Sequence, residues 1–247
     1  MTQPASLRHE LIETVRVIAF GLALAVTWTS VAYQPFTIPS ASMEPGLIEG
    51  DYLVVSKWAY GWSGASLPMN PPLGDGRLFG RDPARGDVVV FRHPLKPRDP
   101  WIKRVIGLPG DRVQVRAGQV FVNDLPFAQQ DLGPGRSASD PDRPVTRRRE
   151  TAPDGGRSWI THDFGPGAPG DDTPVIVVPK GQYLVLGDNR DNSLDGRWPS
   201  EVGVGFLPAR NLIGRAEIVL ASWKPGASLW KPWTWVRLQG RWFMPIR

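Results

Sequence analysis

The 247-residue chain contains 27 Gly, 26 Pro, 11 Trp and no Cys, and its 29 basic and 24 acidic side chains give a formal charge of +5. Without Cys there is no disulfide, no thiolate metal site and no Cys nucleophile; 41% hydrophobic and 21% charged residues exclude wholesale disorder. The three histidines, His9, His93 and His162, are not spaced as paired metal ligands and leave a Ser-His-Asp hydrolase few ways to be built. The length suits one large β-rich domain or two small ones.

In chain order the first feature is an uncharged run, Val17–Tyr33, whose 17 residues at about 1.5 Å each just cross a hydrocarbon core. Trp28 and Tyr33 lie near its distal end, as interfacial aromatics do, and Pro35 stops the helix. Arg8 and Arg16 precede the run, and the next basic residue is Lys57. The positive-inside rule therefore keeps residues 1–16 in the cytoplasm and exports the remainder. Composition does not separate a membrane anchor from a cleavable signal peptide, because Ser30-Val31-Ala32 is an acceptable small-x-small cleavage site.

Short β-type runs follow, at Tyr52–Ser56, Asp87–Arg92, Trp101–Ile106, Arg112–Val115, Gln119–Val122, Pro174–Val178, Gln182–Leu186 and Ala216–Leu220. Arg116-Ala117-Gly118 marks a hairpin between two of them. The expected fold is mostly β and antiparallel, behind one N-terminal transmembrane helix. Residues 62–86 and 125–173, rich in Gly and Pro, read as insertions, and Arg147-Arg148-Arg149 as a solvated loop. Trp223, Trp230, Trp233, Trp235, Trp242 and Phe243 crowd the carboxyl end among basic residues, which suits a lipid headgroup surface and core packing equally.

Three stretches carry chemistry. In Thr37-Ile38-Pro39-Ser40-Ala41-Ser42-Met43-Glu44-Pro45, two prolines stiffen the backbone on either side of Ser42. A nucleophilic Ser needs a base, and no Gly-x-Ser-x-Gly elbow is present. In Trp101-Ile102-Lys103-Arg104-Val105-Ile106, strand alternation sets Lys103 between two apolar neighbours, where desolvation lowers its pKa, and turns Arg104 toward solvent. To serve as a base near neutrality that amine must fall by roughly 2–3 units. In Gly187–Arg197, Asp191, Ser193, Asp195 and Gly196 imitate the start of a calcium loop. Val202 stands where its bidentate Glu is required, and a rigid polar loop pairing Asp195 with Arg197 fits better, with Ser193 available to hold the Lys103 amine.

Together these stretches resemble the bacterial type I signal peptidases, or leader peptidases. Four boxes match in order: Ile38-Pro39-Ser40-Ala41-Ser42-Met43, Arg85-Gly86-Asp87-Val88-Val89-Val90-Phe91, Lys103-Arg104-Val105-Ile106-Gly107-Leu108-Pro109-Gly110-Asp111 and Gly187-Asp188-Asn189-Arg190-Asp191-Asn192-Ser193. The resemblance spans residues 17–122 and 174–220. It implies a Ser42 nucleophile, a Lys103 general base, and an oxyanion hole from the Ser40 hydroxyl and the Ser42 backbone N–H. It further implies Ser193 as the lysine-orienting hydroxyl, Asp195 and Arg197 as a supporting ion pair, and Phe36, Ile38, Pro39, Trp101 and Ile102 around the substrate. Gly196 departs from the Ser that the family commonly carries there, and the disulfide of some relatives has no counterpart. No metal or cofactor is implied.

The implied partners are preproteins with signal peptides, cut after small residues at −1 and −3, and the lipid bilayer, with no nucleic acid. The implied layout is residues 1–16 in the cytoplasm, 17–33 across the bacterial cytoplasmic membrane and 34–247 as a catalytic domain on the periplasmic side. Two other readings are an exported polyanion-binding β module and a Ser-Lys self-cleaving repressor. The membrane segment and the lack of a helix-turn-helix pattern argue against the repressor.

Overall fold

The computed structural model describes residues 7–72, 74, 76–224, 232–234 and 240–246. Its long helix, α1 (Leu7–Val31), begins well before Val17. Leu11, Ile12 and Val15 extend the apolar run, and Arg16 pairs with Glu13 at 2.7 Å one turn back. His9–Thr29 is long and apolar enough to cross a membrane, and none of its most apolar window is buried against the described chain. The Thr27 and Thr29 hydroxyls donate to the Ala23 and Ala25 carbonyls, so neither is left unpaired on the apolar surface.

Beyond the helix the chain is antiparallel β. The strands are β1 (Tyr33–Thr37), β2 (Asp51–Ser56), β3 (Val88–Arg92), β4 (Pro100–Gly107), β5 (Arg112–Arg116), β6 (Gln119–Val122), β7 (Leu125–Pro126) and β8 (Ala128–Arg136). Then follow β9 (Pro144–Thr151), β10 (Ser158–Asp163), β11 (Ile176–Val177), β12 (Gln182–Leu186), β13 (Phe206–Pro208), β14 (Leu212–Ser222) and β15 (Met244–Pro245). The main sheet runs β1-β2-β14-β3-β4-β12-β13 with β15 beside β14, and two smaller sheets run β11-β5-β6-β7 and β10-β9-β8. The expected hairpin closes tightly: Arg116 faces Gln119, and Ala117 and Gly118 both have positive φ, at 46° and 77°.

Alternation along the central strands buries both faces of the main sheet. Val88 and Val90 join one apolar cluster with Leu53, Val55 and Ile102, while Val89 and Phe91 join another with Val105 and Tyr183. A third cluster packs Ile106 and Leu184 against Val113, Val115 and Val120 of the β5–β6 hairpin. Arg104 is therefore not the solvated residue expected from alternation. It is buried, donates to both Asp188 carboxylate oxygens at 2.6–2.7 Å and lies 4.7 Å from the Trp159 ring of β10.

One more expectation changes. Arg147–Arg149 is part of β9 rather than a loop, with Arg148 paired to Asp163 at 2.9 Å. Residues 125–173 carry a three-stranded sheet of their own, β10-β9-β8. Residues 62–86 are pinned by Arg77, which donates to the carbonyls of Tyr60, Gly61, Ala209 and Leu212. At the carboxyl end Trp223 packs edge-on to Tyr52 at 4.6 Å, whereas Trp233 and Phe243 are exposed. Trp230 and Trp235 lie outside the described residues.

Candidate active site

Ser42 sits in a single 3-10 turn, Ala41–Met43, whose three residues are buried. Met43 anchors the turn in the first apolar cluster, and Asn189 holds it from the other side by donating its backbone N–H to Ser42 O and its side-chain amide to Ala41 O, both at 3.2 Å. Gly187 makes this close approach possible, because a Cβ there would lie 2.5 Å from Ser42 O and collide with Ser193. β4 faces the same turn. β12 pairs with β4 only from Gly107 back to Arg104, so Trp101–Lys103 presents one edge with no strand partner among the described residues.

There Lys103, only 3% exposed, donates from Nζ to Ser42 Oγ at 2.7 Å and to Ile102 O at 2.9 Å. Its cross-strand partner is the fully buried Val89, and the Trp101 ring centroid lies 5.5 Å from Nζ. Burial lowers the Lys103 pKa from 10.5 to about 8, with Asp195 and Asp188 pulling weakly upward. The arrangement is an alcohol touching an amine that is largely neutral in mildly alkaline solution, the requirement for a nucleophile activated without imidazole.

Around the pair opens a cleft of about 610 Å³. Phe36, Pro39, Ser40, Trp101 and Ile102 line it, joined by Thr37, Asp99, Pro100, Asn192 and Leu194, which have no signal in the sequence. Ser40 Oγ stands 3.3 Å from Ser42 Oγ. Two expected residues fall elsewhere. Ile38 does not line the cleft, because its backbone pairs with Gly50 and Asp51 and turns the side chain into the core. Ser193 is beside the site, but its hydroxyl is buried with no hydrogen-bond partner among the described residues, and the lysine amine donates to the Ile102 carbonyl instead.

Beneath the site Arg197 donates to both oxygens of the wholly buried Asp195, which also accepts the Gly187 N–H at 3.0 Å. Burial opposes ionisation of Asp195; Arg197 and these hydrogen bonds outweigh it and leave the carboxyl below its usual range. A Cβ on Gly196 would stand 2.9 Å from Val185 O, so the departure from Ser at this position is enforced by packing. Among the described residues no group of His, Asp and Glu gathers as a metal site would. The buried Arg104–Asp188 pair and the three-fold contacts of the Glu44 carboxylate had no sequence signal, because each partner comes from a distant element.

An alcohol and a nearly dry amine thus stand in contact at the edge of the cleft. The sequence matches the family of signal peptidases, peptidase S26, over residues 11–223. Signal peptidase I from Rickettsia canadensis and that from Rickettsia typhi are each 37% identical, over 83% of this chain and 78% of theirs. A crystal structure of a signal peptidase I from Enterococcus faecalis is 22% identical, covers 55% of this chain and 97% of its own, and superposes with a TM-score of only 0.32. The chain belongs to the signal peptidase family, peptidase S26, and is a serine peptidase.

Proposed function

We propose that this protein is a membrane-anchored endopeptidase that removes N-terminal signal peptides from exported preproteins, cleaving after small residues at −1 and −3 with Ser42 as nucleophile and Lys103 as general base. The observation that carries the proposal is the 2.7 Å contact between Ser42 Oγ and a Lys103 Nζ kept nearly dry. Neutral Lys103 accepts the Ser42 proton as the oxygen attacks the peptide carbonyl, and the resulting ammonium protonates the leaving amine. Water activated by the same amine then hydrolyses the acyl-enzyme. The Ser42 N–H and the exposed Ser40 hydroxyl are the oxyanion donors, each worth about 2.7–4 kcal/mol in the transition state. The open edge of β4 beside Phe36, Pro39 and Trp101 suits an extended peptide.

Two features favour retention of α1 as an anchor over its removal after Ala32. The Ala32 carbonyl accepts the Lys57 N–H at 3.0 Å, and the Val31 carbonyl accepts the Trp62 indole N–H at 2.9 Å, so the cleavage point is built into the folded domain. Trp28, Tyr33 and Trp58 pack in series at the helix exit, the first pair tilted and the second edge-on, with centroids 6.0 and 6.4 Å apart, at the level where aromatic rings meet lipid headgroups. In this layout residues 1–16 are cytoplasmic and 34–247 form the periplasmic catalytic domain of a bacterial inner-membrane protein.

The test is cleavage of a labelled preprotein by the full chain in detergent, with sequencing of the new amino terminus. Ser42→Ala and Lys103→Ala are expected to abolish cleavage while the protein stays folded. A Lys103→Ala variant with near-normal turnover would overturn the dyad.

A further inference from the structure

Glu44, two residues after Ser42, has no solvent exposure, and its carboxylate accepts three hydrogen bonds from the loop joining β8 to β9. The donors are Ser137 Oγ at 2.7 Å, the Ala138 N–H at 3.1 Å and the Ser139 N–H at 3.0 Å. A buried carboxylate costs several kcal/mol unless its oxygens are satisfied, so this contact defines where the 41–44 segment lies. His162 of β10 faces the same carboxylate, with Nδ1 3.9 Å from Oε2.

The same sheet also reaches the second support of the Ser42 turn. Arg190 donates to both carboxylate oxygens of the buried Glu150 on β9, one of these bonds at 2.6 Å, and its Nε donates to Gly187 O. The His162 N–H donates to Asp188 O at 2.9 Å, which fixes the backbone next to Asn189. Asn189 is the residue whose amides grip Ala41 and Ser42.

We propose that the β8–β10 sheet is a positioning clamp for Ser42, holding its turn on one side through Glu44 and on the other through Asn189. The inference rests on Ser42 being the nucleophile. Glu44 and Ser137 are positioning residues, since neither touches Lys103 or lines the cleft. When the clamp loosens, the Ser42 oxygen drifts from Lys103 Nζ and the turn no longer shields that amine from water. A displacement of about 1 Å at reacting atoms costs up to roughly 100-fold in rate.

The test compares Glu44→Gln, Ser137→Ala and a Ser42→Ala control with the wild-type full chain in detergent micelles, using a labelled preprotein. Glu44→Gln keeps the shape and places amide hydrogens against N–H donors. Its kcat is expected to fall by about 10- to 100-fold with KM changed by less than about threefold. The acid limb of its pH–rate profile is expected to move upward, because hydration of Lys103 restores the ammonium. Ser137→Ala, which removes one donor of three, follows in the same direction with a loss of about 3- to 10-fold, and it decides the matter if Glu44→Gln does not fold. Wild-type kcat with an unmoved limb would overturn the clamp. So would a kcat that fell only in proportion to the folded fraction with the limb unmoved. A Ser42→Ala control that still cleaved would overturn the dyad reading itself, whereas an inactive control beside a fully active Glu44→Gln overturns the clamp alone.

Discussion

Replacing Lys103 by Met tests how dry the amine is without measuring any cleavage. The ammonium has a pKa near 10.5 in the unfolded chain and about 8 in the folded one. At 1.36 kcal/mol per unit, that gap means that folding around the charged form costs about 3 kcal/mol. Lys103 is buried enough that solvent does not screen this cost away. The sign follows from proton counting: between pH 8 and 10.5 the unfolded chain binds more protons at this site, so wild-type stability rises with pH across that window and is lost again as pH falls toward 8. Met has similar volume and no charge. It forgoes the contacts to Ser42 Oγ and Ile102 O, which offset part of the gain at about 1 kcal/mol each. Lys103→Met is therefore expected to be inactive yet more stable than wild type by about 1 kcal/mol at pH 7, with the advantage lost as pH rises and reversed to a deficit of about 2 kcal/mol by pH 10.5. Urea unfolding in one detergent, followed by Trp fluorescence at several pH values, measures the difference. Lys57, also lowered to about 8 by burial, is present in both proteins and cancels. A stability difference that did not change between pH 8 and 10.5 would refute the buried-ammonium argument.

Wild-type kcat/KM is expected to rise nearly tenfold per unit below pH 8 and level off above it, since only the neutral amine accepts the Ser42 proton; at pH 7 about a tenth of it is neutral. A profile that is flat from pH 6 to 9 would contradict this. Gly187→Ala places a methyl group against Ser42 O and Ser193, so a folded variant is expected to lose at least about tenfold in kcat through displacement of the nucleophile, as measured by steady-state cleavage. Asp195→Asn leaves Arg197, whose side chain is 3% exposed, without its charge partner, and urea unfolding is expected to show a loss of about 3–5 kcal/mol. Ser193→Ala removes a hydroxyl with no hydrogen-bond partner among the described residues, so its unfolding free energy is expected to stay within about 0.5 kcal/mol of wild type.

Reading the chain alone went furthest where local chemistry decides the outcome. The apolar run sufficed for the helix, and alternation with turn residues sufficed for β2, β4, β5, β6 and β12 and for the hairpin at Ala117-Gly118. β8 and β9 escaped it because Gly133-Pro134-Gly135 interrupts Ala128–Arg136, Pro144–Thr151 is mostly polar, and their pairing is driven by partners rather than by an apolar face. Alternation also placed Lys103 correctly between apolar neighbours and then misread Arg104, because which face of a strand meets water depends on what packs over it. Here β10 covers that face and Asp188 supplies the counter-charge.

Local sequence thus determined that one serine sits on a stiff loop and that one lysine lies in an apolar strand, since Pro geometry and strand periodicity act over a few residues. Tertiary structure alone decided that the two touch, that Ile38 turns into the core, and that the Ser193 hydroxyl has no partner among the described residues. Contact and dehydration are set by segments far apart in the chain, and no local pattern encodes which of them will meet.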